Sequence, residues 1–177
     1  MNDVTDRIEK QMILRSPRSR VWRAIADSQE FGSWFGVELD GPWVAGKPIK
    51  GRFKGEFNQE MIDEWLKELG LPPSPVAKVL PEVFCIVEAI EPEQRFAFRW
   101  IPFGIDAGID PETEPKTLVE FHLSDEGDGT LLKVVESGFD NVPPARRKRA
   151  FLMNTGGWES QLENIAKYLE KENESAS

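Results

Sequence analysis

The chain has 177 residues, 40% hydrophobic and 30% charged, which fits a single globular domain over 1–177 and excludes a disordered one. Its 31 acidic and 22 basic residues give a formal net charge of −9, which argues against nucleic acid as a partner and against an electrostatic hold on anionic membranes. One cysteine, Cys85, allows no intrachain disulfide; with no signal-peptide core in Met1–Lys10 and no stretch near the about 18–20 apolar residues of a membrane span, a cytoplasmic protein without membrane insertion is expected.

Ile8, Met12 and Leu14 share one face of a first strand, which Lys10 breaks. Ser16-Pro17 reads as N-cap and first position of a short helix with Val21, Trp22 and Ile25 inward. Asp27 and Glu30 have capping-box spacing and open a second short helix carrying Phe31, Trp34 and Phe35. Gly41-Pro42 and Gly46 mark turns around a weak strand, and Lys50–Phe57 predicts the next. From Asn58 to Leu69 the period changes. Met61, Ile62, Trp65, Leu66 and Leu69 recur at helical spacing, Gly70 stops the helix, and the prolines of 71–75 prevent its resumption. Residues 58–78 are therefore an inserted helix and loop. Its apolar face suits a pocket lid, a dimer contact or a satellite helix.

Beyond the insertion the pattern is antiparallel sheet. Val83–Ile90 is rich in β-branched residues, and Arg95–Ile101 places Phe96, Phe98 and Trp100 on one face. After an acidic, proline-rich loop (102–115), Thr117–Leu123 aligns Val119, Phe121 and Leu123, Asp125–Gly129 turns, and Leu131–Glu136 returns. Pro143-Pro144 introduces the longest helix, from Ala145 to Glu170, with Phe151, Asn154, Trp158, Leu162, Ile165 and Leu169 as its inner stripe and a frayed tail at 171–177. The layout is α+β, and at about 1.5 Å per residue only this last helix is long enough to cover the sheet.

Two features bear on how complete that covering is. The inner faces carry many large rings, and Gly156-Gly157 lies inside the long helix. Each glycine costs about 0.8–1 kcal/mol there relative to alanine, which calls for compensation by close approach to the sheet, a kink, or room for a ligand. Aromatic patterning by itself favours a filled core; a lined cavity is the functional alternative.

Several segments in order resemble the activator-of-heat-shock-protein-ATPase homologue family of the START/polyketide-cyclase/birch-pollen-allergen (SRPBCC) superfamily. They are residues 16–22 (Ser-Pro-Arg-Ser-Arg-Val-Trp), 31–35 (Phe-Gly-Ser-Trp-Phe), 95–100 (Arg-Phe-Ala-Phe-Arg-Trp), 135–139 (Val-Glu-Ser-Gly-Phe) and 154–158 (Asn-Thr-Gly-Gly-Trp). The likeness runs from about Ile8 to Leu169 and departs from the family pattern at the 58–78 insertion. It implies a helix-grip fold, in which a curved antiparallel sheet wraps a long C-terminal helix around a hydrophobic pocket. It further implies binding of a small apolar, aromatic or lipid-like molecule. Alternatives by the same analogy are a polyketide cyclase or aromatase-like enzyme and a chaperone-associated stress-response module.

The candidate ligand-binding residues are Trp34, Phe35, Phe98, Trp100, Phe121 and Trp158, with Glu136 and Asn154 as polar contacts. Glu136 is in phase with Leu132 and Val134; the pattern favours a strand-end carboxylate meeting water at the rim over a buried acid with a raised pKa. Asn154 suits either a ligand contact or a backbone cap. His122 alternates outward beside Glu120, away from any triad geometry, and Cys85 reads as a small buried hydrophobe. Neither the acidic residues of 106–114 nor the one Cys and one His make a metal motif, so no metal, cofactor or catalytic residue is assigned. Arg146, Arg147, Lys148 and Arg149 oppose the dipole of the long helix, and a solvated basic patch is favoured over an acidic partner.

Overall fold

Strict alternation and β-branched content produce seven strands in the computed structural model, which describes residues 6–54, 59–74, 82–102 and 113–175. They are β1 (Arg7–Leu14), β2 (Val37–Leu39), β3 (Pro48–Phe53), β4 (Val83–Glu91), β5 (Arg95–Trp100), β6 (Thr117–Glu126) and β7 (Gly129–Ser137). All neighbours are antiparallel, in the order β1-β7-β6-β5-β4-β3-β2, forming one curved, unclosed sheet. Helices α1 (Arg18–Ala26), α2 (Ser28–Phe35), α3 (Gln59–Glu68) and α4 (Pro144–Ser175) complete the chain. The expected α+β helix-grip arrangement is present, with α4 across the concave face.

Local chemistry explains most boundaries. Asp27 caps α2 through its side chain, accepting from the Gln29 and Glu30 amides. The Glu30 side chain does not close the box. It pairs instead with Arg20 at 2.9 Å and Arg23 at 3.1 Å and accepts from the Tyr168 hydroxyl of α4. Gly36, at φ 90°, ends α2 in the left-handed region and lets the chain turn at once into β2. Gly70, at φ 72°, stops α3 as expected.

Several boundaries differ from expectation. Pro17, not Ser16, is the N-cap of α1, and it supplies no side-chain bond; its carbonyl accepts from Arg20 and Val21. No strand forms between Gly41 and Gly46. The short strand precedes them at Val37–Leu39, and Trp43 folds inward from the loop with its Nε1 donating to the Ile25 carbonyl at 3.0 Å. The 125–129 turn tightens to a two-residue loop, Gly127-Asp128, because Glu126 pairs with Gly129. Helix α4 runs beyond Glu170 to Ser175. Residues 55–58, 75–78, 103–112 and 176–177, which held expected parts of a strand, the insertion, the acidic loop and the tail, lie outside the described residues.

The core is one ring-rich cluster between sheet and helices. Phe31 is its hub, with centroids 4.8 Å from Trp34, 4.9 Å from Phe35 and 5.2 Å from Trp43. Phe84 joins it beside Cys85, so that two consecutive residues of β4 are buried. Register between β3 and β4 shifts so that Ile49 faces Cys85 and Lys50 faces Val83, which leaves Phe84 as an extra residue. That bulge buries Phe84 and Cys85 together.

Candidate functional site

Glu136 defines the site. It lies on the inner face of β7, paired with Ile8 on β1 and Val119 on β6, and no part of it is exposed. Trp100 and Thr117 are paired at the neighbouring ends of β5 and β6, which brings both side chains to that face. Asn154 and Trp158, four residues apart on α4, come down from above on one stripe of the helix.

All four donate to the one carboxylate. Trp100 Nε1 and Thr117 Oγ1 reach Oε2 at 2.7 and 2.6 Å. Trp158 Nε1 reaches Oε1 at 2.8 Å, and Asn154 Nδ2 lies 2.9 and 3.0 Å from the two oxygens. An indole N–H is a donor only, so the two tryptophans hold both oxygens as acceptors. Burial pushes the Glu136 carboxyl above its ordinary pKa, and the four donors pull the other way without cancelling it. The expectation of a carboxylate meeting water at the rim is therefore corrected: sheet curvature and the crossing of α4 close over this end of β7.

Above Trp100, Asn154 and Trp158 is a cavity of about 580 Å³. Phe35 and Gly36 at the α2–β2 junction and Phe53 at the end of β3 form one side. Trp65, Glu68 and Leu69 of α3 form another, and Gly156, Gly157, Ser160 and Gln161 of α4 complete it. The rings are continuous: Trp100 and Trp158 are 5.5 Å apart, and Phe35 lies 6.0 and 6.1 Å from them. Apart from chain neighbours and the adjoining backbone of α4 itself, nothing lies within 4 Å of a Cβ built on Gly156 or Gly157. Close approach to the sheet thus does not explain the glycine pair, whereas open space beside it does.

Four of the expected ligand-binding residues, Phe35, Trp100, Asn154 and Trp158, line this cavity. The other four lie outside its lining. Trp34 is turned into the core, its Nε1 donating to the Ala24 carbonyl at 2.8 Å. Phe98 and Phe121 are buried among Phe31, Phe96 and Trp43 or Trp158, and Glu136 sits behind the indoles. The interior is divided: Trp43 fills the end beside α1, and space remains at the end beside α3. Phe53, Trp65, Leu69 and Gln161 were missed as lining. The helical stripe of α3 was legible, but its docking side was not. Leu66 is buried, Trp65 and Leu69 face the cavity, and Met61 is 52% exposed, so α3 is a wall of the site.

The remaining candidates resolve simply. His122 points outward, 3.6 Å from Glu120. Cys85 is buried, and burial pushes its thiol up, away from the reactive thiolate. The basic run at the start of α4 is only partly solvated. Arg146 is buried in an ion pair with Glu114, Arg147 donates to the Val142 and Asp140 carbonyls, and Arg149 donates to Ser74 Oγ at 3.0 Å. Capping carbonyls and the segment after α3 take up charges expected to face water.

The profile of the activator of Hsp90 ATPase homolog 1-like proteins matches residues 15–170. The chain belongs to that family. Solved structures show the same fold. Protein MLL2253 from Mesorhizobium loti is 20% identical, with 93% of this chain and 97% of that one covered and a TM-score of 0.64. The Aha1 dimer from Colwellia psychrerythraea is 16% identical, with coverage of 94% and 97% and a TM-score of 0.62. DynU16, a protein of the dynemicin biosynthetic locus, is 22% identical with a TM-score of 0.62; 94% of this chain covers 48% of that one, so the chain spans about half its length. At these identities the likeness carries the fold alone. No curated protein matches the chain. No helix among the described residues is long and apolar enough to cross a membrane.

Proposed function

We propose that the cavity between α2, α3 and α4 binds a small, largely apolar molecule. The observation that carries this reading is an open space of about 580 Å³ walled by Phe35, Phe53, Trp65, Trp100 and Trp158, within the range of about 300–1,000 Å³ usual for ligand sites. Two polar side chains of the wall are already engaged. Gln161 donates to the Phe35 carbonyl and accepts from Asn164, and the Asn154 amide nitrogen is held by Glu136. Shape and ring contact would therefore dominate recognition.

A cyclase-like reading needs two titratable groups in mutual reach at the ligand. Among the described lining residues Glu68 is exposed at the mouth, while Glu136 lies behind the indoles with both oxygens occupied. Binding without chemistry is the better-supported function. A panel of small aromatic and aliphatic compounds, followed by NMR, tests it. The indole N–H signals of Trp65, Trp100 and Trp158 should shift together and saturate. Shifts confined to surface residues, with these signals unmoved, would remove the proposal.

A further inference from the structure

The geometry points to a narrower ligand class: an apolar organic cation, such as a tertiary or quaternary amine, seated against the cavity's rings with its charge toward Glu68. This rests on the cavity being a binding site and adds the sign of the ligand's charge. Three observations carry it. First, the walls present rings from three directions: Phe35 and Phe53 from the α2–β3 side, Trp65 from α3, and the Trp100–Trp158 pair from the floor. The faces of aromatic rings are negative and attract cations, tryptophan most strongly.

Second, the positive ends of the floor indoles are turned away. Trp100 Nε1 and Trp158 Nε1 both donate to Glu136, which is not part of the lining. A guest at the floor therefore finds neither of these two indole N–H groups free to donate to an anion. Third, the only charged residue among the described lining residues is Glu68, and no lysine or arginine joins it. An anion entering here would pass a carboxylate and find no cation among the described lining residues to receive it. A cation would face that carboxylate and the rings together, in a chain of net charge −9.

The experiment compares benzyltrimethylammonium, its uncharged isostere neopentylbenzene, and phenylacetate by NMR titration of the full chain. The cation should bind about fivefold or more tighter than the isostere, with shifts at Trp65, Trp100 and Trp158, and phenylacetate should be weakest. Glu68 is exposed, so Glu68→Gln keeps the fold; it should weaken the cation about two- to threefold more than it weakens the isostere, and an equal effect on both overturns the role of the Glu68 charge. Equal binding of cation and isostere, or tightest binding by phenylacetate, overturns the charge preference while leaving the cavity a binding site. No response of the three indoles to any probe overturns both.

Discussion

Trp158 Nε1 and the Glu136 carboxylate, 2.8 Å apart, tie the middle of α4 to the end of β7. The same carboxylate is the shared acceptor of Trp100, Thr117 and Asn154. Removing a charge from water costs several kcal/mol, and charge-assisted hydrogen bonds return about 1.5–3 kcal/mol each. The four donors offset only part of the burial cost, since the carboxyl still lies above its ordinary pKa, and losing the acceptor would strand all four.

Glu136→Ala should therefore destabilise the protein by about 3–5 kcal/mol, through a new void and unmet buried donors together. Urea unfolding measures this. A loss below about 1 kcal/mol would mean the four donors find other partners and the carboxylate is not the fastening of sheet to helix.

The pH dependence has a definite sign. The folded protein holds the Glu136 proton to higher pH than the ordinary carboxyl value of 4.5, because burial disfavours the charge. Above 4.5 the unfolded chain releases a proton that the folded chain retains, so stability from this group falls as pH rises through that window and is fully present below it. Glu136→Gln lacks this titration. Wild-type stability minus that of the variant, from urea unfolding, should decline as pH rises above 4.5. A difference that stays flat or rises would contradict a raised Glu136 pKa.

Gly156→Ala and Gly157→Ala should each stabilise the protein by about 0.5–1 kcal/mol, since a Cβ at either position meets nothing within 4 Å beyond chain neighbours and the adjoining backbone of α4, and both lie inside a helix. The same methyl groups enter the cavity and should weaken any guest. Thermal melts and the NMR titration read the two effects separately. Gly32→Ala should behave oppositely, because its Cβ would collide with the Val37 carbonyl oxygen. A drop in melting temperature for the α4 variants would show that the open space beside the pair is absent.

The chain has a single tyrosine, so spectrophotometric titration reports Tyr168 directly. Its pKa is pushed up to about 12, first by burial and then by its bond to Glu30. Glu30→Ala should lower it toward 10.0 while releasing Arg20 and Arg23, which pair with that carboxylate. An unchanged phenol titration would mean α4 is not fastened to α1 and α2 at this point.

Much of the fold was legible because periodicity records burial. The inner stripe of α4 and the alternating rings of β5 and β6 reappear as buried positions, and Trp65, Leu66 and Leu69 of the α3 stripe as buried or cavity-facing ones. The failures have particular causes. A bulge buried Phe84 together with Cys85, and Trp43 left its loop to fill the core, neither of which a period of two or 3.6 can express. Trp34, Phe98 and Phe121 looked equivalent to Trp100 and Trp158 because alternation gives the face a ring occupies and not what stands opposite it.

The likeness to a known family implied the helix-grip arrangement, while the sequence by itself determined the order of elements, the α+β class and most of the residues that turn inward. Those follow from local propensity and from the two periods, which are written in neighbouring residues. Only the tertiary structure decided that Glu136 is sealed under two indoles, that α3 walls the site, and that the interior is solid beside Trp43 and open beside Gly156 and Gly157. Each of these depends on how far apart segments distant in sequence are held, and that separation is set by sheet curvature and the seat of α4, which no local pattern encodes.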